Sequence, residues 1–533
     1  MSKTLYFNGT VLTMDRANPR AEAVLTEDGK ILAVGEYDKL KDCGAVPFDM
    51  DGATLIPGFV DGHSHMMSVG TAMLRNCDLM GCESFDEVLD RLRRFRDERG
   101  LTHGEPICGT GYDPAIMKEG QHPDASVLDR LGGDNPIGVI HQSGHIGVYN
   151  TVAMRRAGVL EEGYEAPAGG VAGRDSEGRP TGYFEETARH IFNRMFASST
   201  PEQDRREGIL LAQDCYLKKG FTTVQDGSNG GAAALNAFGQ LAEEGLLKAD
   251  VVVYMTPVPE QAEMRREALA RFGRGYCGHL KLGGVKMFLD GSPQARTAWL
   301  SRPYEGESKY CGYPRLTDEQ ARDRMAAALD EGWQVMAHCN GDAASEQFLS
   351  IFEKLRAEKG LIGKDLRPVM IHAQTVRYDQ LDRMAEAGMM ASFFVDHCFF
   401  WGDTHRKNLG DRATRISPLK QALARHIPFS LHQDSPVTPP DMIRSVWSAV
   451  NRVTRSGVIL GADNRIDPYE ALIAATRGGA YTYFEENIKG ILRAGALADF
   501  AVLERDPTAV DPMEIRDIPV LYTVKEDKIL YRA

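Results

Sequence analysis

Between residues 280 and 432 the chain alternates short apolar runs with amphipathic stretches, at a spacing that suits a parallel sheet with helical crossovers. Residues 280–289 form one apolar run. Thr317 followed by Gln320 then opens a helix through a capping box, and that helix ends before Gly332. Strands are predicted over 334–338, 369–372, 389–395 and 428–432. Helices are predicted over 344–359, 378–387 and 418–426, with Gly360 and Gly388 as stops. Upstream, 59–61, 221–225 and 251–255 supply three further strand candidates. Eight parallel strands in an α/β chain predict a (β/α)8 TIM barrel, with reactive side chains at the C-terminal strand ends.

The two chain ends read differently. The first fifty residues are short strands punctuated by Asn8-Gly9 and Asp28-Gly29, both hairpin signals. The last forty repeat that pattern at 499–503, 520–524 and 528–531. Two β-rich ends are expected to pair into one composite β-sandwich domain, 1–57 with 481–533, leaving 58–480 as the barrel. Residues 80–205 exceed what one strand–helix unit needs and read as an insertion after the first strand, a cap on the barrel mouth. Within it, 87–100 is expected to be an amphipathic helix with Val88, Leu92 and Phe95 inward.

Lys and Arg total 62 against 75 Asp and Glu, a net charge of −13, which weighs against a nucleic-acid or anionic-membrane partner. No apolar run is long enough for a transmembrane helix, and the start lacks the features of a secretory signal. Nine cysteines without a CxxC pair suit reduced thiols and a cytoplasmic location. The expected partners are a small-molecule substrate and a second copy of the chain, as a dimer.

In an extended strand residues i and i+2 share a face. His63 and His65 of Pro57-Gly58-Phe59-Val60-Asp61-Gly62-His63-Ser64-His65 are therefore expected to project together. Two imidazoles on one face are half of a metal site. The other strand ends add Lys286, in an apolar run where a lysine is costly unless paired or modified. They also add His338, His372 and the segment His432-Gln433-Asp434-Ser435-Pro436. Four histidines, a lysine and an aspartate at the strand ends of one barrel read as a metal site rather than as separately satisfied core residues.

These residues resemble the amidohydrolase superfamily. Lys286-Met287-Phe288-Leu289-Asp290-Gly291-Ser292, the segment 145–154 and the ending 490–507 resemble its YtcJ-like, N-substituted formamide deformylase-like branch, over nearly the whole chain. The resemblance implies that His63 and His65 bind one divalent ion and that His338 and His372 bind a second. Lys286, carboxylated by carbon dioxide, would bridge the two, and Asp434 would join the first. Zinc is the expected metal. Two positions depart from the branch: Gln433-Asp434 replaces Ser-Asp, and Cys339-Asn340 stands where small apolar residues are usual.

A divalent ion lowers the pKa of bound water from about 15.7 to about 7 and polarises a carbonyl. Asp434 is the natural catalytic proton shuttle, taking a proton from that water and delivering it to a leaving nitrogen. The expected activity is hydrolysis of a C–N bond in an amide or cyclic amide. The alternative is deamination of an amino-heterocycle, against which Lys286 counts because superfamily deaminases usually lack it. A scaffold protein without activity would be free to shed these residues. Substrate-binding candidates are His145, Arg296, His397 and Trp401, with Tyr112, Asp113 and His405 as further lining residues. His145 could equally be structural, and Arg296 could bind a substrate carboxylate or tie down its own loop.

Overall fold

The computed structural model describes residues 3–114, 116–142, 146–167, 170–196, 202–229 and 231–533. They divide into two compact units, Met1–Val69 with Ile209–Ala533, and Gly70–Gly208.

The first unit contains an eight-stranded sheet of β1 (Phe59–Val60), β2 (Phe221–Asn229), β3 (Asp250–Met255), β4 (Leu280–Phe288), β5 (Gln334–Cys339), β6 (Val369–His372), β7 (Met390–Phe393) and β8 (Phe429–Leu431). Neighbours in space are neighbours in sequence, and every pairing is parallel, as in a TIM-like α/β fold. Just past β1, the Gly62 N–H donates to the carbonyl of Leu431, the last residue of β8, at 3.3 Å. The β-branched run of β3 is buried throughout, as a strand covered on both faces must be. Between the strands, Asp318–Asp330 carries the expected Thr317–Gln320 capping box. Tyr378–Ala387 stops at Gly388, whose φ of 67° is the left-handed cap that glycine adopts without steric cost.

Both chain ends contribute strands to the same unit. One four-stranded sheet runs Lys30–Gly35, Ala23–Glu27, Lys3–Phe7, Val46–Asp49. A six-stranded one runs Lys528–Arg532, Val520–Lys525, Phe500–Leu503, Thr54–Pro57, Thr10–Leu12, Arg20–Ala21. Tyr6, Val24 and Ile31 share an apolar cluster with Leu55, Phe500 and Val524. Asp28-Gly29 makes the expected hairpin, with φ of 50° and 77°. Asn8-Gly9 does not. Lys3–Phe7 pairs with Ala23–Glu27 and Val46–Asp49, while Thr10–Leu12 pairs in the other sheet. The turn carries the chain between sheets because the Thr10 N–H is taken by the Ala53 carbonyl, where a side chain at Gly9 would clash.

A buried ionic cluster lies at the N-terminal end of β3. Asp250 meets Lys489 at 2.6 Å and Lys525 at 2.9 Å, and Lys525 also meets Asp499 at 3.0 Å. His279 Nδ1 approaches Asp250 at 2.7 Å, and Glu485 approaches Lys489 at 2.8 Å.

The second unit has its own six-stranded sheet, Gly170–Arg174, Pro180–Glu186, Ile146–Tyr149, Ile137–His141, Ile107–Tyr112, Asn76–Asp78. Its helix Phe85–Glu98 starts at Ser84, whose hydroxyl accepts the Glu87 N–H, and buries Val88 and Leu92 with Phe95 partly covered. All nine cysteines are free thiols. Among the described residues no helix is long and apolar enough to cross a membrane.

Candidate metal centre

The histidine pair after β1 is placed by a pinned loop rather than by strand alternation. The strand ends at Val60, three residues before His63, so its alternation does not reach the histidine. Asp61 turns the chain by accepting the His63 N–H at 3.2 Å and the Ser64 hydroxyl. On one side the Ser64 carbonyl accepts the Gly227 N–H at 2.7 Å, and on the other the His65 N–H donates to the Ser435 carbonyl at 2.9 Å. The two imidazoles still converge, with ring centres 4.9 Å apart, because β2 and β8 hold the loop between them.

Asp434 is where they meet. Its Oδ1 lies 3.2 Å from His63 Nε2 and 3.3 Å from His65 Nε2. That oxygen is buried and makes no well-formed hydrogen bond. The three donor atoms lie within 4.8 Å of one another. His63 Nδ1–H donates to Gln225 Oε1 at 2.5 Å, so the lone pair of the neutral ring is on Nε2, facing Asp434 and 2.6 Å from Lys286 Nζ.

A second pair faces inward in the same way. His338 Nε2–H donates to the Gly291 carbonyl at 2.9 Å, which leaves its Nδ1 lone pair 3.0 Å from His372 Nε2. His372 Nε2 is also 3.9 Å from Asp434 Oδ2. Lone pairs and a carboxylate oxygen directed at one another repel unless a cation lies between them. The donor set of neutral imidazoles and a carboxylate therefore fits a divalent ion. His372 and Asp434 are held at φ of 70° and 53°, a region costly for residues with a side chain and found where function over-determines the backbone.

Burial sets the electrostatics. It pulls His63 down to about 4 and His338 to about 3, helped in each case by Lys286. His372 is likewise held well below the usual imidazole range. Lys286, fully buried within β4, is pulled down to about 8 by desolvation, so it gives up its proton far more readily than a free lysine.

The six residues expected at the strand ends are thus brought together. His397 and His405 are also buried, their rings stacked with His397 Nδ1 3.0 Å from His405 Nε2, and Trp401 packs on His397 with ring centres 4.6 Å apart. Arg296 is bound in its own loop: it meets Glu307 at 2.9 Å, and its guanidinium is 5.4 Å from the Tyr304 ring. Tyr112 and Asp113 belong to the second unit, where the Tyr112 hydroxyl meets His122 Nδ1 at 3.0 Å and Asp113 lies 3.8 Å from His141. His145 falls outside the described residues.

Three further residues, Gln225, Asp290 and His432, support these side chains. Gln225 orients His63. Asp290, pushed up to about 7 by burial, accepts the backbone N–H groups of Trp299, Asn340 and Gly341 and lies 3.5 Å from His338 Nε2. His432 is fully buried against His372, 3.1 Å from its Nδ1. The rule that flagged Lys286, a polar group inside an apolar strand, applies equally to Gln225.

Known proteins are similar to this chain in sequence and in fold. YtcJ of Bacillus subtilis (strain 168), an amidohydrolase by name, is 28% identical, with 99% of each chain covered. The N-substituted formamide deformylase of Arthrobacter pascens is 25% identical over all of this chain and 98% of its own. The structure of an uncharacterized metal-dependent hydrolase from Pyrococcus horikoshii OT3 superposes with a TM-score of 0.74 at 26% identity, covering 96% of this chain and 99% of that one. The family model described as the amidohydrolase family matches residues 48–531, so the centre built on His63, His65 and Asp434 sits in a hydrolytic enzyme: the chain belongs to the amidohydrolase family.

Proposed function

We propose that this enzyme hydrolyses a C–N bond of an amide or cyclic amide at a two-ion centre. His63, His65 and Asp434 would hold one divalent ion, His338 and His372 would hold the other, and Lys286, as a carbamate, would serve both. Zinc is the metal the imidazole-rich set favours. A divalent ion there supplies an acidified water and a Lewis acid for the substrate carbonyl. Asp434 takes the proton from the attacking water and delivers it to the leaving nitrogen. Gln225 and Gly291 keep the outer nitrogens of His63 and His338 occupied, so that both rings present lone pairs inward. Lys286 supplies the neutral amine that carbon dioxide needs: its nitrogen forms the new N–C bond and releases one proton. His397 and Trp401 line the substrate side. In the same reading, residues 1–57 and 481–533 are a composite β-sandwich.

The observation that carries the reading is the unpartnered Asp434 Oδ1 set between two inward-facing imidazole nitrogens. The name of the Arthrobacter pascens relative makes N-substituted formamides the first amides to assay. The test is metal analysis of protein purified without chelator, combined with a panel of formamides, cyclic amides and amino-heterocycles. Two ions per chain with amine and carboxylic acid as products support the reading. Full activity in chelator, or ammonia release from amino-heterocycles alone, overturns it.

A further inference from the structure

His432 lies two residues before Asp434 and takes no part in the steps above, yet its ring is fully buried and bonded at both nitrogens. Nδ1 is 2.8 Å from Ser392 Oγ, and Nε2 is 3.1 Å from His372 Nδ1. Ser392 Oγ also accepts the Ser430 hydroxyl at 3.0 Å, and the two serines are cross-strand partners on β7 and β8. A hydroxyl oxygen has two lone pairs. One takes the Ser430 O–H; with His372 Nε2 turned to the ion of the two-ion reading, His372 Nδ1 carries the proton toward His432 Nε2, and the second Ser392 lone pair takes the His432 Nδ1–H. His432 Nε2 is then a lone pair that accepts the His372 Nδ1–H. Neutral His372 is left with its own lone pair on Nε2, the atom 3.0 Å from His338 Nδ1. The serines have room because residue 62 is glycine: a Cβ there would overlap Ser430 Oγ and come 2.8 Å from Ser392 Oγ.

We propose that His432 is the positioning residue of the second ion site. Backed by Ser392 and Ser430, it fixes the tautomer and plane of His372 so that Nε2 faces the ion. The inference rests on the two-ion reading above. It concerns which ion depends on His432, and it does not require the ring to change its charge. A ring behind a ligand that donates its outer N–H is worth about 10–100-fold in metal affinity.

The test is titration of metal-stripped protein with Zn2+ against a chromophoric chelator, alongside a thermal melt of the ion-free protein. His432→Phe keeps the ring volume and removes both nitrogens. It is expected to melt near wild type, keep the first ion and bind the second about 10–100-fold more weakly. His432→Gln offers an amide oxygen to His372 and an amide N–H to Ser392, and is expected to restore the second ion to within a few-fold of wild type. A folded His432→Phe that binds both ions like wild type overturns the inference. If His432→Phe does not fold, Ser392→Ala decides: a selectively weakened second ion supports the inference, and unchanged binding overturns it. His338→Ala separates the two levels. If wild type takes two ions and His338→Ala loses one while His432→Phe keeps both, only the role of His432 falls. If wild type takes up no second ion, the two-ion reading and the inference fall together.

Discussion

Asp434 carries the heaviest burden of any single residue, because the proposed chemistry asks it both to hold an ion and to move a proton. Asp434→Asn keeps the size and one oxygen but cannot carry the proton. The fold and much of the metal should survive, while kcat falls by about 10²–10⁴-fold, the usual cost of losing an acid–base group. Near-wild-type kcat in a metal-replete Asp434→Asn protein would falsify the shuttle. Lys286 makes a separate prediction. Protein incubated with 13C-bicarbonate should show a carbamate carbon resonance that is absent from Lys286→Ala, and Lys286→Ala should lose metal. A wild-type spectrum without that resonance at full metal occupancy counts against the bridge. At this scale the residues legible in the sequence were those whose chemistry clashes with their neighbours, such as Lys286 in an apolar run or His63 and His65 after a strand. Gln225 and His432 act through partners more than fifty residues away, His63 and His372, and no local pattern in the sequence reports such pairings.

Elements were read best where one period or one cap decides them. The 369–372 strand and the 378–387 helix occur with the expected ends, since a burial run and a glycine stop are both local. The strands predicted over 59–61 and 428–432 end sooner, at Val60 and Leu431, because there the chain leaves the sheet to build the loop around Asp434. Asn8-Gly9 misled for a different reason: the two residues favour left-handed backbone, and only the sheets decide whether that turn closes a hairpin or changes layers. Gly62 tests the tight packing at this end of the sheet. Gly62→Ala forces a methyl against Ser430 Oγ, Ser392 Oγ and the Leu431 carbonyl, and should cost about 1–3 kcal/mol as overpacking, read from urea unfolding of the ion-free protein. Thr317→Ala, which removes only a surface capping box, should cost about 1 kcal/mol by the same measurement. An equal or smaller loss for Gly62→Ala would mean that the serine pair has slack.

For the molecule as a whole, the ionic cluster at Asp250 joins the eight-stranded sheet to the C-terminal strands. Burial alone would raise the Asp250 pKa, but Lys489 and Lys525 overcome it and hold the carboxyl well below the usual range. Lys489, despite its own burial, is pushed up to about 12 by Asp250 and Glu485. Burial raises Asp499, which opposes part of the gain. The signs set a window. The Asp250 contribution is present above the unfolded value of about 3.9 and is lost as pH falls below it toward the folded value. The Lys489 contribution is present below about 10.4 and is lost as pH rises through about 12. Thermal melts should therefore show a plateau with declines on both flanks. Lys525→Met leaves buried carboxylates short of a cation and should cost about 3–5 kcal/mol at pH 7. It should also flatten the acid flank. A Lys525→Met protein as stable as wild type at pH 7 would show the cluster to be dispensable.

The pairing of Thr54–Pro57 with Phe500–Leu503 also has a consequence in time. A ribosome adding about 5–20 residues per second finishes the second strand roughly 20–90 s after the first. Throughout that interval Leu55 and Ile56, both fully buried in the finished protein, wait on an open strand edge. The strands of the eight-stranded sheet are made in the order in which they sit and can pair as they emerge, while Thr54–Pro57 stays unsatisfied until Phe500–Leu503 has been made. A message broken anywhere before that point therefore yields a product marked by an exposed apolar edge, the kind of surface that chaperones and proteases bind.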